Sequence, residues 1–171
     1  MGSFDFRDTE FLTVGTLGPR GERVFYLQGR GDHYEGEPRL VSLRLEKQQV
    51  AALADYLDRV LDDLPQSDLG PLPDDLSLRE PVVSEFTVAS LGVAYSTDDD
   101  RLIVVAEEMV ELDEDDDEEP DVDHVRWSLR REQVVGLITR AREVIAAGRP
   151  PCVYCSRPLD PRNGDWCACS N

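Results

Sequence analysis

Twice along this chain the hydrophobic period changes from two residues to about 3.6, and each time a strand-like stretch leads directly into a helix-like one. Arg39 to Leu45 places apolar side chains at nearly every second position. From there Val50, Leu53, Ala54, Leu57, Val60, Leu61 and Leu64 recur at helical spacing. The pattern predicts an amphipathic helix over Glu46–Leu64, ended by Pro65. Later, Val125 to Leu129 alternates. Val134, Leu137, Ile138, Ala141, Val144 and Ile145 then predict a second helix over Arg131–Ala147, with Gly148 at its stop and Pro150-Pro151 beyond.

Strand candidates fill the space before each helix. Phe11–Leu17 and Val24–Gln28 flank the turn Gly18-Pro19-Arg20-Gly21, and Arg39–Leu45 comes next as a third strand. After a Pro/Asp/Leu-rich linker at residues 65–81 come Val83–Val88, Leu91–Ser96, the turn Asp98-Asp99-Asp100, Arg101–Glu107 and Val125–Leu129. Ser42-Leu43-Arg44 can be laid on Ser128-Leu129-Arg130, each leading into a helix that carries a Gln-Val pair (Gln49-Val50, Gln133-Val134). This order predicts an α+β protein built from a duplicated β-β-β-α unit. Repeat one covers about 4–64 and repeat two about 82–148, within a body of residues 1–148. Short hairpin connections imply mostly antiparallel pairing. Residues 149–171 stand apart as a small C-terminal tail.

The formal charge of -18 is concentrated. Glu107 to Asp123 holds 12 acidic residues and no basic one, leaving 24 acidic and 18 basic residues elsewhere. A block of like charge repels itself and stays extended, and it lacks the spaced ligands and glycine of a calcium loop. An acidic body disfavours nucleic-acid binding. Of the basic residues only Lys47 is lysine, a bias that fits a GC-rich genome. No apolar run approaches the ~20 residues of a membrane span. The charges Asp5, Arg7, Asp8 and Glu10 occupy the place where a signal peptide would be apolar, so the expected location is cytoplasmic.

The chemistry lies in the tail. Cys152-Val153-Tyr154-Cys155 is a C-x-x-C, and Cys167-Ala168-Cys169 comes eleven residues later, across a stretch rich in turn formers. In a reducing compartment two close cysteine pairs point to a metal and not to disulfides, and the spacing is not that of the common iron–sulfur runs. The expected cofactor is a structural Zn2+ held by Cys152, Cys155, Cys167 and Cys169. Four thiolates leave no coordination position for water or substrate, and the ion supplies the folding free energy that so short a segment lacks. Cys167-x-Cys169 is tight for a knuckle, so Asp165 is the substitute fourth ligand should one of these two not reach.

Taken together, Phe4-Asp5-Phe6, Phe25-Tyr26-Leu27-Gln28, Ser128-Leu129-Arg130, Arg149-Pro150-Pro151-Cys152 and Arg157-Pro158-Leu159-Asp160-Pro161 give the chain a likeness along nearly its whole length. It resembles the bacterial family of unknown function DUF3090, described as a repeat-protein family of GC-rich Gram-positive bacteria. The resemblance implies a tail reading Gly-His-x-Cys-Pro where this chain has Gly164-Asp165-Trp166-Cys167-Ala168. It also implies genomic neighbours of histidine-phosphatase and lipid-kinase type, and so phosphoryl chemistry nearby, without assigning an activity.

Three functions stand as expectations. The first is a non-enzymatic module that docks an unidentified protein partner. The second is an enzyme or enzyme subunit of phosphate-ester metabolism. It would use Arg30, Asp32, His33 and Tyr34, where alone a histidine has carboxylates beside it. The third is nucleic-acid binding through the tail, with Tyr154 and Trp166 stacking and Arg149, Arg157 and Arg162 meeting phosphates. Walker A, Gly-x-Gly-x-x-Gly and His-Glu-x-x-His motifs are absent.

Overall fold

The computed structural model describes residues 2–33, 36–111, 120–160, 162 and 164–170. Tyr34 and residues 112–119 of the acidic block lie outside the described residues. The elements are β1 (Phe4–Phe6), β2 (Asp8–Leu17), β3 (Val24–Asp32), β4 (Pro38–Leu45), α1 (Lys47–Asp63), β5 (Ser84–Ser96), β6 (Arg101–Glu108), β7 (His124–Leu129) and α2 (Arg131–Ala146). They form one mixed sheet in the order β1-β7-β6-β5-β4-β3-β2 with two helices packed on it, an α+β fold. The pairings β2–β3–β4 and β5–β6–β7 are antiparallel, with short turns joining β2 to β3, β3 to β4 and β5 to β6, and 15 residues between β6 and β7. Two junctions, β4–β5 and β7–β1, are parallel. Since β1 and β2 stand at opposite ends of the strand order with only Arg7 between them, the sheet curls back on itself.

Closure is built from aromatic rings on glycine. Phe4, Phe6 and Trp127 form a stacked row with centroids 6.3 Å apart at each step. Trp127, on β7, is completely buried and lies against Gly29 of β3 and Leu12 of β2, strands that are not its neighbours in the sheet. Any side chain at Gly29 would occupy the space of the indole.

Each helix begins in the same way. The Gln49 Oε1 accepts the Glu46 backbone N–H (2.8 Å), and its Nε2 donates to the carbonyls of Val88 (3.0 Å) and Ala89. The Gln133 Oε1 accepts the Arg130 N–H (2.8 Å), and its Nε2 donates to Thr9 (2.7 Å) and Glu10. Both pairs of carbonyls sit at β-bulges, between Val88 and Ser90 on β5 and between Thr9 and Phe11 on β2. Pairing registers match as well. Phe25, Leu27 and Gly29 oppose Leu45, Leu43 and Val41, while Leu102, Val104 and Ala106 oppose Leu129, Trp127 and Val125.

Four expectations need correcting. Val83–Val88 and Leu91–Ser96 are one strand, because the bulge at Ala89 shifts the side-chain phase without ending the ladder. β1 is a strand that the sequence pattern did not announce, being three residues long. Arg130 is the N-cap of α2 and so corresponds to Glu46, which sets Leu45, and not Leu43, against Leu129. Residues 65–81 are also more than a connector. They run as an ordered strap over α2 and the outer face of β2 and β3. The Arg131 Nη1 donates to the Pro65 carbonyl (2.6 Å), Pro73 and Leu76 press on Gly136, and Leu78 sits on Gly15. The Thr13 hydroxyl donates to the Leu76 carbonyl. Gln28 exchanges two hydrogen bonds with the Arg79 backbone (2.7 and 2.8 Å). This explains why Thr13 and Gln28 are fully buried although polar.

Gly29→Ala is expected to destabilise the protein by about 1–3 kcal/mol in urea titration, the usual range for overpacking. Gly92→Ala, where an added Cβ meets nothing within 4 Å, should shift stability by no more than about 0.5 kcal/mol. A second expectation concerns acid. The Asp100 carboxyl is held below the ordinary carboxylate range by Arg131, whose Nη2 is 2.8 Å away, and then by the Tyr95 hydroxyl. A depressed carboxylate stabilises the fold above its unfolded pKa of about 3.9, and the gain is lost as the pH falls through the lower folded value. Asp100→Asn should therefore lower Tm at pH 7 and flatten the fall of Tm below about pH 4.

Candidate metal centre

α2 delivers the chain to the site. Its C-terminal turn is clamped by Arg23, just ahead of β3, which donates from both Nη atoms to the Val144 carbonyl at 3.3 Å, where a helix end favours a cation. Beyond Gly148 the chain forms a tight hairpin. The Leu159 N–H donates to Pro150 O (2.9 Å), Cys152 N–H to Arg157 O (2.8 Å) and Ser156 N–H to Cys152 O (2.9 Å), with Ser156 in the left-handed region that reverses the chain. Cys152 and Cys155 lie on this knuckle. The return path turns at Gly164 and Asp165, both with positive φ, and ends in a short 3-10 turn, Ala168–Ser170, which carries Cys169 back toward Cys152.

The result is a cluster of four sulfurs, all within 4.8 Å of one another. Cys152 and Cys169 are 3.5 Å apart, and so are Cys155 and Cys167. These distances exclude bonded disulfides, which need about 2.05 Å. They fit a tetrahedral ion, since metal–sulfur bonds of about 2.3 Å set the sulfurs about 3.8 Å apart. The four residues could hold a metal ion. Asp165 is not part of this cluster; its N–H is used on Asp160 O (3.1 Å).

Electrostatics suit a cation. The Cys152 thiol is lowered to about 6, first by the amide N–H of Tyr154 and then by that of Cys155, both directed at its sulfur. The Cys169 thiol is pushed up, because the sulfurs of Cys155, Cys167 and Cys152 favour its protonated form. Sulfurs this close cannot all ionise unless a positive charge sits among them.

Polar contacts that the sequence pattern does not reveal dock the tail on the body. Asp160 is held below the usual carboxylate range by the Arg162 side chain (3.1 Å) and its N–H, with Arg149 at 4.0 Å. The Arg162 Nη1 reaches Glu22 (3.3 Å) and the Arg149 Nη2 donates to Gly21 O (3.0 Å), both in the β2–β3 turn. Two of the arginines considered for nucleic acid are thus engaged within the protein. Val153, Tyr154 and Trp166 are left on the surface, at 89%, 79% and 54% exposure.

Of the residues considered for phosphoryl chemistry, Asp32 and His33 share a cleft and Arg30 does not line it. His33 packs edge-on against the Phe4 ring at 5.4 Å. With Asp5, Arg7, Asp8 and Asp32 it lines a cleft of about 270 Å3. Arg30 turns instead to Glu10 across β2 (3.3 Å). No helix among the described residues is long and apolar enough to cross a membrane.

A family model described as a protein of unknown function (DUF3090) matches residues 4–167, which includes three of the four cysteines. No curated protein and no solved structure matches the chain.

Metal content measured on purified protein is expected at one ion per chain, and Cys152→Ser and Cys155→Ser should each abolish it. Acid should act through Cys152. Its depressed thiol favours the folded tail fully above about pH 9, and that advantage is gone once the pH has fallen through about 6. Proton competition acts in the same direction, so ion release monitored with a colorimetric chelator should rise as the pH drops from 8 to 5.

Proposed function

This chain belongs to the DUF3090 family, and we propose that it acts as a non-catalytic protein-interaction module whose C-terminal tail is folded by a structural Zn2+ on Cys152, Cys155, Cys167 and Cys169. Zinc is favoured over harder cations by four sulfur donors. Four thiolates complete the tetrahedron, so the ion has no position left for water or substrate, and its role is to hold shape. The single observation that carries the interaction reading is what this shape displays. A tail of some twenty residues keeps Val153, Tyr154 and Trp166 in solvent beside a cluster that fixes their backbone. An apolar knuckle pre-organised by a metal loses little entropy on meeting a partner, which is how a small surface gains affinity.

The body, residues 1–148, we read as a duplicated β-β-β-α unit, about 4–64 and about 82–148. Support comes from the matched strand registers, and from the two glutamines that tie each helix N-terminus to a bulge in the other half. The location we propose is cytoplasmic, where the thiols stay reduced and able to bind zinc.

The test is affinity capture from the native host, with wild type compared against a Val153→Ser, Tyr154→Ser, Trp166→Ser variant. The variant is expected to keep its zinc and its Tm and to lose the partner that wild type captures reproducibly. Retention of the same partner by the variant would remove the tail from the interface. Zinc-free wild type that captures as well as the loaded protein would remove the metal from the reading.

A further inference from the structure

Between α1 and β5 runs an open groove of about 510 Å3. Its walls are Leu53, Tyr56 and Arg59 on the helix and Leu91, Gly92 and Val93 on the strand. Tyr56 is 47% exposed, and Gly92 has open space where a side chain would be. On its own such a groove says nothing about an occupant. Here the seam between α2 and β2 has residues at matching positions, and the strap lies over them.

The two bulge-capping glutamines define the correspondence. Counting from Gln49 and Gln133, Ala52 stands where Gly136 does, Tyr56 where Arg140 does and Arg59 where Glu143 does. Counting from the bulges at Ala89 and Glu10, Gly92 stands where Thr13 does and Ala94 where Gly15 does. In the α2–β2 copy that position is covered by the strap. Pro73 and Leu76 press on Gly136, the Leu76 carbonyl accepts from Thr13, and Leu78 lies on Gly15. In the α1–β5 copy the corresponding small residues, Ala52, Gly92 and Ala94, are exposed.

We propose that the α1–β5 groove docks an extended peptide of a partner protein, one that resembles the strap: a proline, a leucine three residues later, and acidic residues between them. This deepens the interaction-module reading and rests on it. The shape argument is the filled copy. The charge argument is Arg59, whose guanidinium lies over the Tyr56 ring and donates to the Asp55 carbonyl, with no ion pair among the described residues. Its counterpart on α2 is Glu143, which forms an ion pair with Arg140. An acidic peptide therefore meets a cation in the open groove. The protein's own strap cannot supply the occupant, since it is seated on β3, β2 and α2 through Gln28, Thr13 and Arg131.

The probe is a fluorescein-labelled peptide with the sequence of Leu72–Leu78, titrated into the full-length, zinc-loaded protein. Polarisation is expected to give a Kd below about 1 mM. Backbone amide shifts should map to Ala52, Tyr56 and Gly92. Gly92→Phe, where an added Cβ meets nothing within 4 Å, places a ring in the groove, Arg59→Glu reverses its charge, and each should weaken binding at least about tenfold while Tm holds. No binding at about 1 mM overturns the proposal. So do shifts confined to Thr13 and Gly136, which mean strap exchange on α2. A dimer in sedimentation that Gly92→Phe dissolves also overturns it, because the occupant is then a second copy. The tail variant reports separately. If the peptide fails while that variant still loses the captured partner, only the groove is discarded; if the peptide binds and capture ignores the tail, only the knuckle is.

Discussion

The fold depends on one device used twice, a glutamine in the first turn of a helix that bonds in two directions. Its carbonyl oxygen accepts the N-cap amide, one of the helix's orphan donors, and its amide nitrogen donates to backbone carbonyls at a β-bulge. Each glutamine therefore satisfies groups that neither element could satisfy alone. Because α1 reaches β5 and α2 reaches β2, neither half completes its own polar inventory. Removing one half would expose bulge carbonyls and an apolar helix face together. This ties the halves into one unit more firmly than the strand contact between β4 and β5, which is a short parallel junction.

How much could be read from the sequence depends on how local the cause is. Both helices were legible because their period spans several turns and burial tracks it, as Val50, Leu53, Ala54 and Leu57 show. The close approach of the four cysteines was legible because two short-spaced pairs joined by turn-forming residues bring their sulfurs together. The fused strand β5 was not, since a bulge looks like a chain break to any rule based on alternation. The strap was read as a linker for a similar reason. Its prolines and aspartates forbid regular structure but do not forbid packing, and its anchors, Gly15, Gln28 and Gly136, are far away in sequence. The Phe4–Phe6–Trp127 row is equally non-local, with a partner, Gly29, whose contribution is the absence of a side chain.

The tail illustrates the opposite economy. Among the described residues its hairpin has a few backbone hydrogen bonds and one buried residue, Cys152, while Leu159 is half-buried and Val153, Tyr154 and Trp166 face outward. By area alone such a segment cannot offset the entropy of ordering some twenty residues. Arg149 and Arg162 pin it to the β2–β3 turn at one end, and at the other its four cysteines lie close enough to hold a metal ion. Cys169 joins the other three sulfurs because a single 3-10 turn shortens the path that a C-x-C spacing has to cover, and Asp165 is left on the far side of the reversal.

The two halves differ in the segment that leaves the C-terminal end of each helix, and that difference is where function is most exposed. After α1 the chain doubles back over α2 and β2, and Pro73, Leu76 and Leu78 fill the groove there. After α2 the corresponding stretch is the tail, and Arg149 draws it to Gly21 at the far end of the body. The chain after α2 instead forms the hairpin that carries the four clustered cysteines. An apolar groove lined by Leu53, Leu91 and Val93 and floored by Gly92 is thereby kept in water, at a steady cost in hydration free energy. Between α2 and β2 the strap occupies a position that stays open between α1 and β5, so the one chain shows both the covered and the uncovered form of a helix–strand seam.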